Sequence, residues 1–175
     1  MVLGYNIRTD PASIRRRAEV LLEHSGLYEH LSAEDNLEFY GRVCGMTPAS
    51  IRAQTGTLLQ QFNLWGFRKD KVRDWPPGLK RKLAIARLLL RRPALIFLDE
   101  PTAGLNTLEA EAIEQDLRQL VNRGDLTVVL ATQDLDFAQK LCDTVAVLDR
   151  GNLLYAGPMG ALLDSHFTSG QLRST

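Results

Sequence analysis

Two adjacent carboxylates, Asp99 and Glu100, are the side chains of this sequence best suited to chemistry. They follow the apolar run at residues 95–98, which is typical of a strand buried on both faces of a parallel sheet. Reactive groups gather at the carboxyl ends of such strands, and adjacent acids on an extended chain point in different directions. One can hold Mg²⁺ while the other accepts a proton from an attacking water, as nucleoside triphosphate hydrolysis requires. The alternative is that the pair only ends the strand.

The elements after this pair alternate in type. Thr107 is predicted to cap a helix, and a second helix is expected over residues 134–141. Apolar runs predict strands over residues 95–98, 126–131 and 145–149. The order strand, helix, strand, helix, strand predicts one parallel α/β sheet. A turn at 150–152, a short strand at 153–155 and a small helix after Pro158 follow, and the tail from about Ser165 is expected to be unstructured.

Before residue 93 the pattern is mostly helical. Ser32 heads a capping-box sequence, Thr47 precedes a proline at the first helical position, and Gly78 opens a third apolar repeat. Residues 32–92 are therefore predicted to be all-helical. Further upstream, residues 2–7 read as a strand and residues 12–18 as a helix.

Composition excludes several classes of function. The sequence has 175 residues, with 21 Lys plus Arg balanced by 21 Asp plus Glu, so it lacks the basic excess of a nucleic-acid binder. The short basic clusters at 15–17 and 80–82 are interpreted as solvated helix faces. The 2 cysteines are far apart, which gives no basis for a zinc site or a disulfide scaffold. No run is apolar enough to cross a membrane, and no secretion signal opens the chain.

Residues 98–106 read Leu-Asp-Glu-Pro-Thr-Ala-Gly-Leu-Asn, which resembles the Walker B motif and D-loop of ATP-binding-cassette (ABC) ATPases at eight of nine positions. Residues 83–87, Leu-Ala-Ile-Ala-Arg, resemble the helix before Walker B, and residues 128–151 are similar to the switch region and the last core strands. Residues 26–37 look like the segment after the Q-loop of drug- and haem-export cassettes. The resemblance implies an α/β fold, namely an incomplete P-loop NTPase (RecA-like) core with an inserted α-helical subdomain.

The same resemblance implies a division of the chain. Residues 1–31 are a remnant of the core that leads into the Q-loop region, and residues 32–92 form the α-helical subdomain with the signature motif. Residues 93–164 are the second half of the RecA-like core, and residues 165–175 are a flexible tail. Because the chain is shorter than a complete cassette, we expect sheet strands that would pair with the absent half to be left exposed.

The sequence departs from the family pattern at the phosphate-binding elements. It contains no Gly-Lys dipeptide, so the G-x-x-x-x-G-K-[ST] loop that wraps nucleotide phosphates would lie before Met1. The signature motif falls on residues 75–79, where Pro76 and Pro77 remove a serine hydroxyl and a backbone donor. Gly78 retains the family residue there.

Three polar contacts have also changed type. By the resemblance, Glu23 takes the place of the Q-loop glutamine, Gln133 that of the switch histidine, and Asn106 that of the D-loop aspartate. Asp99, Glu100 and Gly78 are the nucleotide-facing positions that keep the family's residue type.

The implied function is that of an ATP-binding subunit of an ABC transporter, in which ATP binding and hydrolysis are coupled to export. Glu100 and Gln133 would be catalytic, Asp99 would hold Mg²⁺, and Glu23, Gly78 and Asn106 would border the nucleotide. The implied cofactors are ATP and Mg²⁺. The implied partners are a transmembrane subunit and a second cassette in a homo- or heterodimer, at the cytoplasmic face of the cell membrane. Because Walker A is missing, we expect little or no ATPase activity from the chain alone.

Two other interpretations remain open at the sequence level. The chain could be a non-catalytic module that docks on a membrane subunit or on a complete cassette without using nucleotide. Alternatively, the gene could start upstream of Met1, or a separate polypeptide could supply the phosphate loop, and the site would then be more complete.

Overall fold

A computed structural model describes residues 1–22 and 25–164 of the chain. They fall into two compact units, residues 1–131 and residues 132 onward. The first unit contains α1 (Pro11–Arg17), β1 (Ala18–Leu21), α2 (Ala33–Val43), α3 (Pro48–Gln61), α4 (Pro77–Leu89), β2 (Leu95–Asp99), α5 (Thr107–Val121) and β3 (Thr127–Ala131). The second contains α6 (Leu135–Leu141), β4 (Thr144–Asp149), β5 (Asn152–Pro158) and α7 (Met159–Asp164). The predicted tail from Ser165 lies outside the described residues.

The first unit is built on a parallel sheet in the order β1-β2-β3. Leu98 of β2 is in register with Leu21 on one side and Leu130 on the other. Strand β1 was not predicted: the helix expected over 12–18 ends at Arg17, and Ala18 begins the strand. Pairing with β2 makes this segment a strand, and the local periodicity of the sequence does not reveal that partner.

The strand predicted over residues 2–7 is wrong. Leu3 and Gly4 both have positive φ angles, so the chain turns back on itself and Val2 and Tyr5 exchange two backbone hydrogen bonds of 2.9 Å. This segment is a tight turn with one isolated bridge.

The helical prediction for residues 32–92 is confirmed, with two short 3₁₀ turns between α3 and α4. The Ser32 hydroxyl accepts the Asp35 N–H at the start of α2, and the Thr47 hydroxyl accepts the Ser50 N–H at the start of α3. Fully buried side chains join these helices in one core: Leu37, Leu59, Phe62, Leu64, Leu83, Ile85 and Leu90. Helix α4 continues from this core to pack against β1 and α5.

The second unit holds an antiparallel hairpin of β4 and β5. The strand predicted over 145–149 was expected to extend the parallel sheet, and that prediction is wrong because β4 pairs with β5. Ala138, Val147, Met159 and Leu162 form the small core of this unit. Along the described ranges, no helix has the length and apolar character needed to cross a membrane.

One face of the parallel sheet is covered by helices, and the middle of the other face is exposed. Leu21, Ile96 and Leu98 point to the side covered by helices and are at most 1% exposed. Val20, Phe97 and Val129 share one register position across the three strands on the opposite side, and they are 49%, 38% and 45% exposed. The sequence predicted strands buried on both faces, and this is wrong at Phe97 and Val129, although Leu95 at the start of β2 is only 6% exposed.

Candidate functional site

The carboxyl end of β2 carries Asp99 and Glu100. Asp99 is in register with Ala131 of β3 and is exposed. The Glu100 N–H donates to the Ala131 carbonyl at 2.9 Å, so the sheet pairing continues one residue beyond the strand. The two carboxylates therefore stand at the edge of the sheet where the strand-end chemistry was predicted.

Glu100 has an unusual backbone conformation, with φ at +43°. An L-residue with a side chain pays about 1–2 kcal/mol for this left-handed region. The bend is followed by a tight loop in which the Ala103 N–H donates to the Glu100 carbonyl at 3.1 Å and the Leu105 N–H donates to the Thr102 carbonyl at 3.2 Å. Strain of this kind concentrates at functional positions, and here it turns the chain sharply after the acidic pair.

The described side chains fit a Mg²⁺ ion only if other ligands complete its coordination. Among the residues that the structure describes, no group of three or more His, Cys, Asp or Glu side chains could hold a metal ion. Mg²⁺ is commonly bound through one or two carboxylates, with phosphate oxygens and waters completing the octahedron. Asp99 can therefore serve as the protein ligand of a Mg²⁺ ion that arrives with a nucleotide.

Asn106 caps helix α5 in a reciprocal arrangement. Its side-chain oxygen accepts the Glu109 N–H at 3.0 Å, while Glu109 Oε2 accepts the Asn106 N–H at 3.2 Å. Thr107 was predicted as the cap, and this is wrong by one residue. The sequence Asn-x-x-Glu is itself a capping-box signal, so the correct cap could have been read from the sequence.

We expect Asn106→Ala to lower the free energy of unfolding by about 1 kcal/mol, because the variant loses the acceptor for one N–H of the first helical turn. Urea denaturation of the purified chain measures this change. Asn106→Asp is the matched control, since a carboxylate keeps the acceptor and suits a helix N-terminus. An alanine variant as stable as the aspartate variant would contradict the assignment of the cap.

The start of α4, which resembles the signature motif, lacks an ordinary cap. Pro76 occupies the N-cap position without a side-chain hydrogen bond, and Pro77 is the first helical residue, not Gly78 as predicted. The Gly78 N–H donates to Glu109 Oε1 at 2.9 Å. Glu109, a residue that sequence reasoning did not single out, thus contacts the starts of both α4 and α5.

Two further residues were predicted for the site. Glu23 lies outside the described residues. Gln133 belongs to the second unit and is exposed, between Thr132 and the α6 cap Asp134. The Asp134 side chain accepts the Phe137 N–H at 2.9 Å, so the turn that carries Gln133 ends in a well-formed helix start.

A separate polar cluster holds β1 against the helical region. The Glu19 carboxylate accepts the Tyr40 hydroxyl at 2.7 Å and pairs with Arg91 at 3.0 Å. Burial raises the pKa of the Tyr40 phenol well above its usual value, and the hydrogen bond to Glu19 raises it further. Tyr40 therefore stays a protonated donor, and Glu19 has two partners that fix it in place.

Comparison with known proteins gives consistent results. A sequence profile of the family described as ABC transporter matches residues 2–103. The chain is 30% identical over 163 residues to the ABC transporter ATP-binding protein NatA of Bacillus subtilis, covering 93% of this chain and 66% of that protein. It is 35% identical over 164 residues to the daunorubicin/doxorubicin resistance ATP-binding protein DrrA of Streptomyces peucetius, covering 94% and 49%. The chain thus spans about half to two thirds of these relatives' length.

A solved structure shares the fold. It is that of cbiO1 from Clostridium perfringens, described as part of the ABC transporter complex cbiONQ. It superposes with a TM-score of 0.79 at 24% identity, covering 88% of this chain and 62% of that chain. The α/β fold of the P-loop NTPase type that the sequence predicted is confirmed by this likeness.

Proposed function

The chain belongs to the ABC transporter family, and from this premise we propose that it is an ATP-binding subunit of a transporter of the export type. The observation that carries the proposal is the adjacent pair Asp99 and Glu100, where Asp99 ends β2 and Glu100 itself has the positive φ angle that bends the backbone. A strand end of this kind separates a metal-holding carboxylate from a proton-accepting one.

Each proposed role follows from the chemistry of the side chain. Asp99 would hold a Mg²⁺ ion that arrives with the nucleotide, and Glu100 would accept the proton of the attacking water. Gly78 and Asn106 face the nucleotide through the starts of α4 and α5. Glu23 and Gln133 border the γ-phosphate, and Gln133 orients the water by hydrogen bonding, since an amide does not titrate.

The same residues predict weak activity in isolation. Residues 1–175 contain no Gly-Lys dipeptide, so the phosphate loop with its lysine has no counterpart among them. Pro76 and Pro77 lack N–H groups that a phosphate could accept from, and the Gly78 N–H already donates to Glu109. We therefore propose that the phosphate grip comes from outside residues 1–175.

We propose a transmembrane subunit and a second cassette as partners, with the chain at the cytoplasmic face of the membrane. Relatives named for daunorubicin and doxorubicin resistance and for Nod factor export support an export role. The helical residues 32–92 are the proposed contact with the membrane subunit, and residues 93–164 are the proposed second half of the core.

A second candidate is a non-catalytic module that docks on a transporter without using nucleotide. The occupied start of α4 favours it, because a carboxylate sits where a phosphate would be received. The open sheet face with Val20, Phe97 and Val129 also favours it, because a parallel sheet is stable when both faces are covered.

Equilibrium binding of a fluorescent ATP analogue distinguishes the two candidates. If the chain is a nucleotide-binding subunit, we expect Mg²⁺-dependent binding with a Kd of about 1 mM or tighter, which corresponds to about 4 kcal/mol or more. Asp99→Asn should weaken it at least about tenfold, since a neutral amide is a poor Mg²⁺ ligand. Asp125→Asn is the matched control, because this exposed residue precedes the amino end of β3, whereas Asp99 lies at the carboxyl end of β2. Binding that ignores both Mg²⁺ and Asp99→Asn would leave only the docking module.

A further inference from the structure

Glu109 contacts two residues that precede it in the sequence. Gly78 lies 31 residues before it, and Asn106 lies 3 residues before it. Oε1 accepts the Gly78 N–H at 2.9 Å, and Oε2 accepts the Asn106 N–H at 3.2 Å. The two oxygens of one carboxylate therefore join the start of α4 to the start of α5. The second bond belongs to the α5 capping box, whereas the first serves no local purpose for α5.

Helix α4 depends on this contact for its capping. The cap position is Pro76, which offers no side-chain acceptor, and Pro77 has no N–H. The N–H groups of a first helical turn lack partners inside the helix and carry the positive end of its dipole. A carboxylate is the side chain best suited to that position, and Glu109 supplies it from another helix.

Gly78 and the Glu109 side chain are in close contact. A Cβ atom at Gly78 would lie 2.7 Å from both Cγ and Oε1 of Glu109, nearer than any real side chain permits. Gly78 is buried, so Glu109 fills the space that any other residue would need. The glycine is required here for the approach of the carboxylate, because every larger residue would push Glu109 away from the amide.

We propose that Glu109 is a positioning residue that latches the starts of α4 and α5 together and keeps the Gly78 N–H unavailable to any other anion. The consequence for nucleotide rests on the proposed function, in which Gly78 and Asn106 face the phosphates. While Glu109 holds the two helix starts together, the Gly78 N–H donates to its carboxylate. When Glu109 leaves, both N–H groups are released together, and the start of α4 can receive a phosphate oxygen.

Amide hydrogen exchange of the full chain, followed by NMR, tests the latch without nucleotide. In Glu109→Ala we expect exchange at both Gly78 and Asn106 to quicken at least about tenfold, because one carboxylate protects both. Glu111→Ala is the matched control, since this exposed residue lies two positions further along the same helix. Both amides should keep their wild-type rates there. An unchanged Gly78 rate in Glu109→Ala would reduce Glu109 to a local cap and overturn the latch.

Glu109→Gln provides a second variant that keeps the shape and size of the side chain. A neutral amide has one accepting oxygen, and its nitrogen cannot accept, so it can reproduce only one of two contacts that Glu109 makes through two different oxygens. We expect one of the two amides to retain slow exchange while the other loses it. Slow exchange at both in this variant would contradict a two-oxygen bridge.

Binding of the ATP analogue with Mg²⁺ to the same variants tests the nucleotide consequence. We expect Glu109→Ala to bind about tenfold more tightly than wild type, which is about 1.4 kcal/mol, and Glu111→Ala to match wild type. Equal or weaker binding in Glu109→Ala would overturn the blocking role. Failure of the proposed function would look different, because no variant would then show Mg²⁺-dependent binding while the exchange rates still report the latch.

Discussion

Replacing Ile96 with threonine is expected to lower the free energy of unfolding by about 2–4 kcal/mol, whereas Val129→Thr should change it by less than about 0.5 kcal/mol. Ile96 is fully buried beneath the helices, so its variant loses apolar volume and buries a hydroxyl. Val129 lies on the open face and is 45% exposed, so its near-isosteric replacement can hydrate the hydroxyl.

This pair of variants tests whether one face of the sheet is truly uncovered. Both substitutions keep a β-branched side chain in a strand, so β-propensity contributes little to the difference. Urea denaturation with a probe in the first unit gives the two free energies. If Val129→Thr is as costly as Ile96→Thr, the open face is covered in solution by a copy of the chain or by another segment.

Local signals in the sequence predicted the helices well. The caps at Ser32 and Thr47 form as expected, since the partners of a cap lie within three residues. The apolar run before Asp99 became β2 for a similar reason, because its composition alone marks a strand.

The errors have in common that a distant partner decides the structure. Ala18–Leu21 became a strand only because β2 lies beside it, and β4 left the predicted sheet because β5 follows it across a short turn. Periodicity likewise predicts that Phe97 has an apolar environment, but it cannot reveal whether the covering element is present.

The candidate site was predicted in part. The strand-end pair of Asp99 and Glu100 follows from a local pattern, whereas the link between Gly78 and Glu109 spans 31 residues and needs the packing of α4 against α5. The sequence Asn-x-x-Glu could have indicated Glu109 as the partner of Asn106, but the sequence analysis placed the cap at Thr107. Nothing in the sequence indicated that the other oxygen of Glu109 accepts the Gly78 N–H.

The second large effect concerns catalysis by the chain alone, which we expect to be absent. A positioned general base contributes about 10²–10⁴-fold, and it does so only for a water held against a bound phosphate. Residues 1–175 lack the Gly-Lys step of a phosphate loop, and the Gly78 amide donates to Glu109. In the proposed function, Glu100 is therefore a base for which residues 1–175 supply no phosphate loop to hold the substrate.

We propose that residues 1–175 carry the carboxylate end of a cassette site and that the phosphate grip comes from elsewhere. Release of inorganic phosphate from Mg²⁺-ATP by the purified wild-type chain and by Glu100→Gln tests this most directly. We expect both proteins to give the same background rate. Mg²⁺-dependent turnover in the wild type that disappears in Glu100→Gln would contradict it.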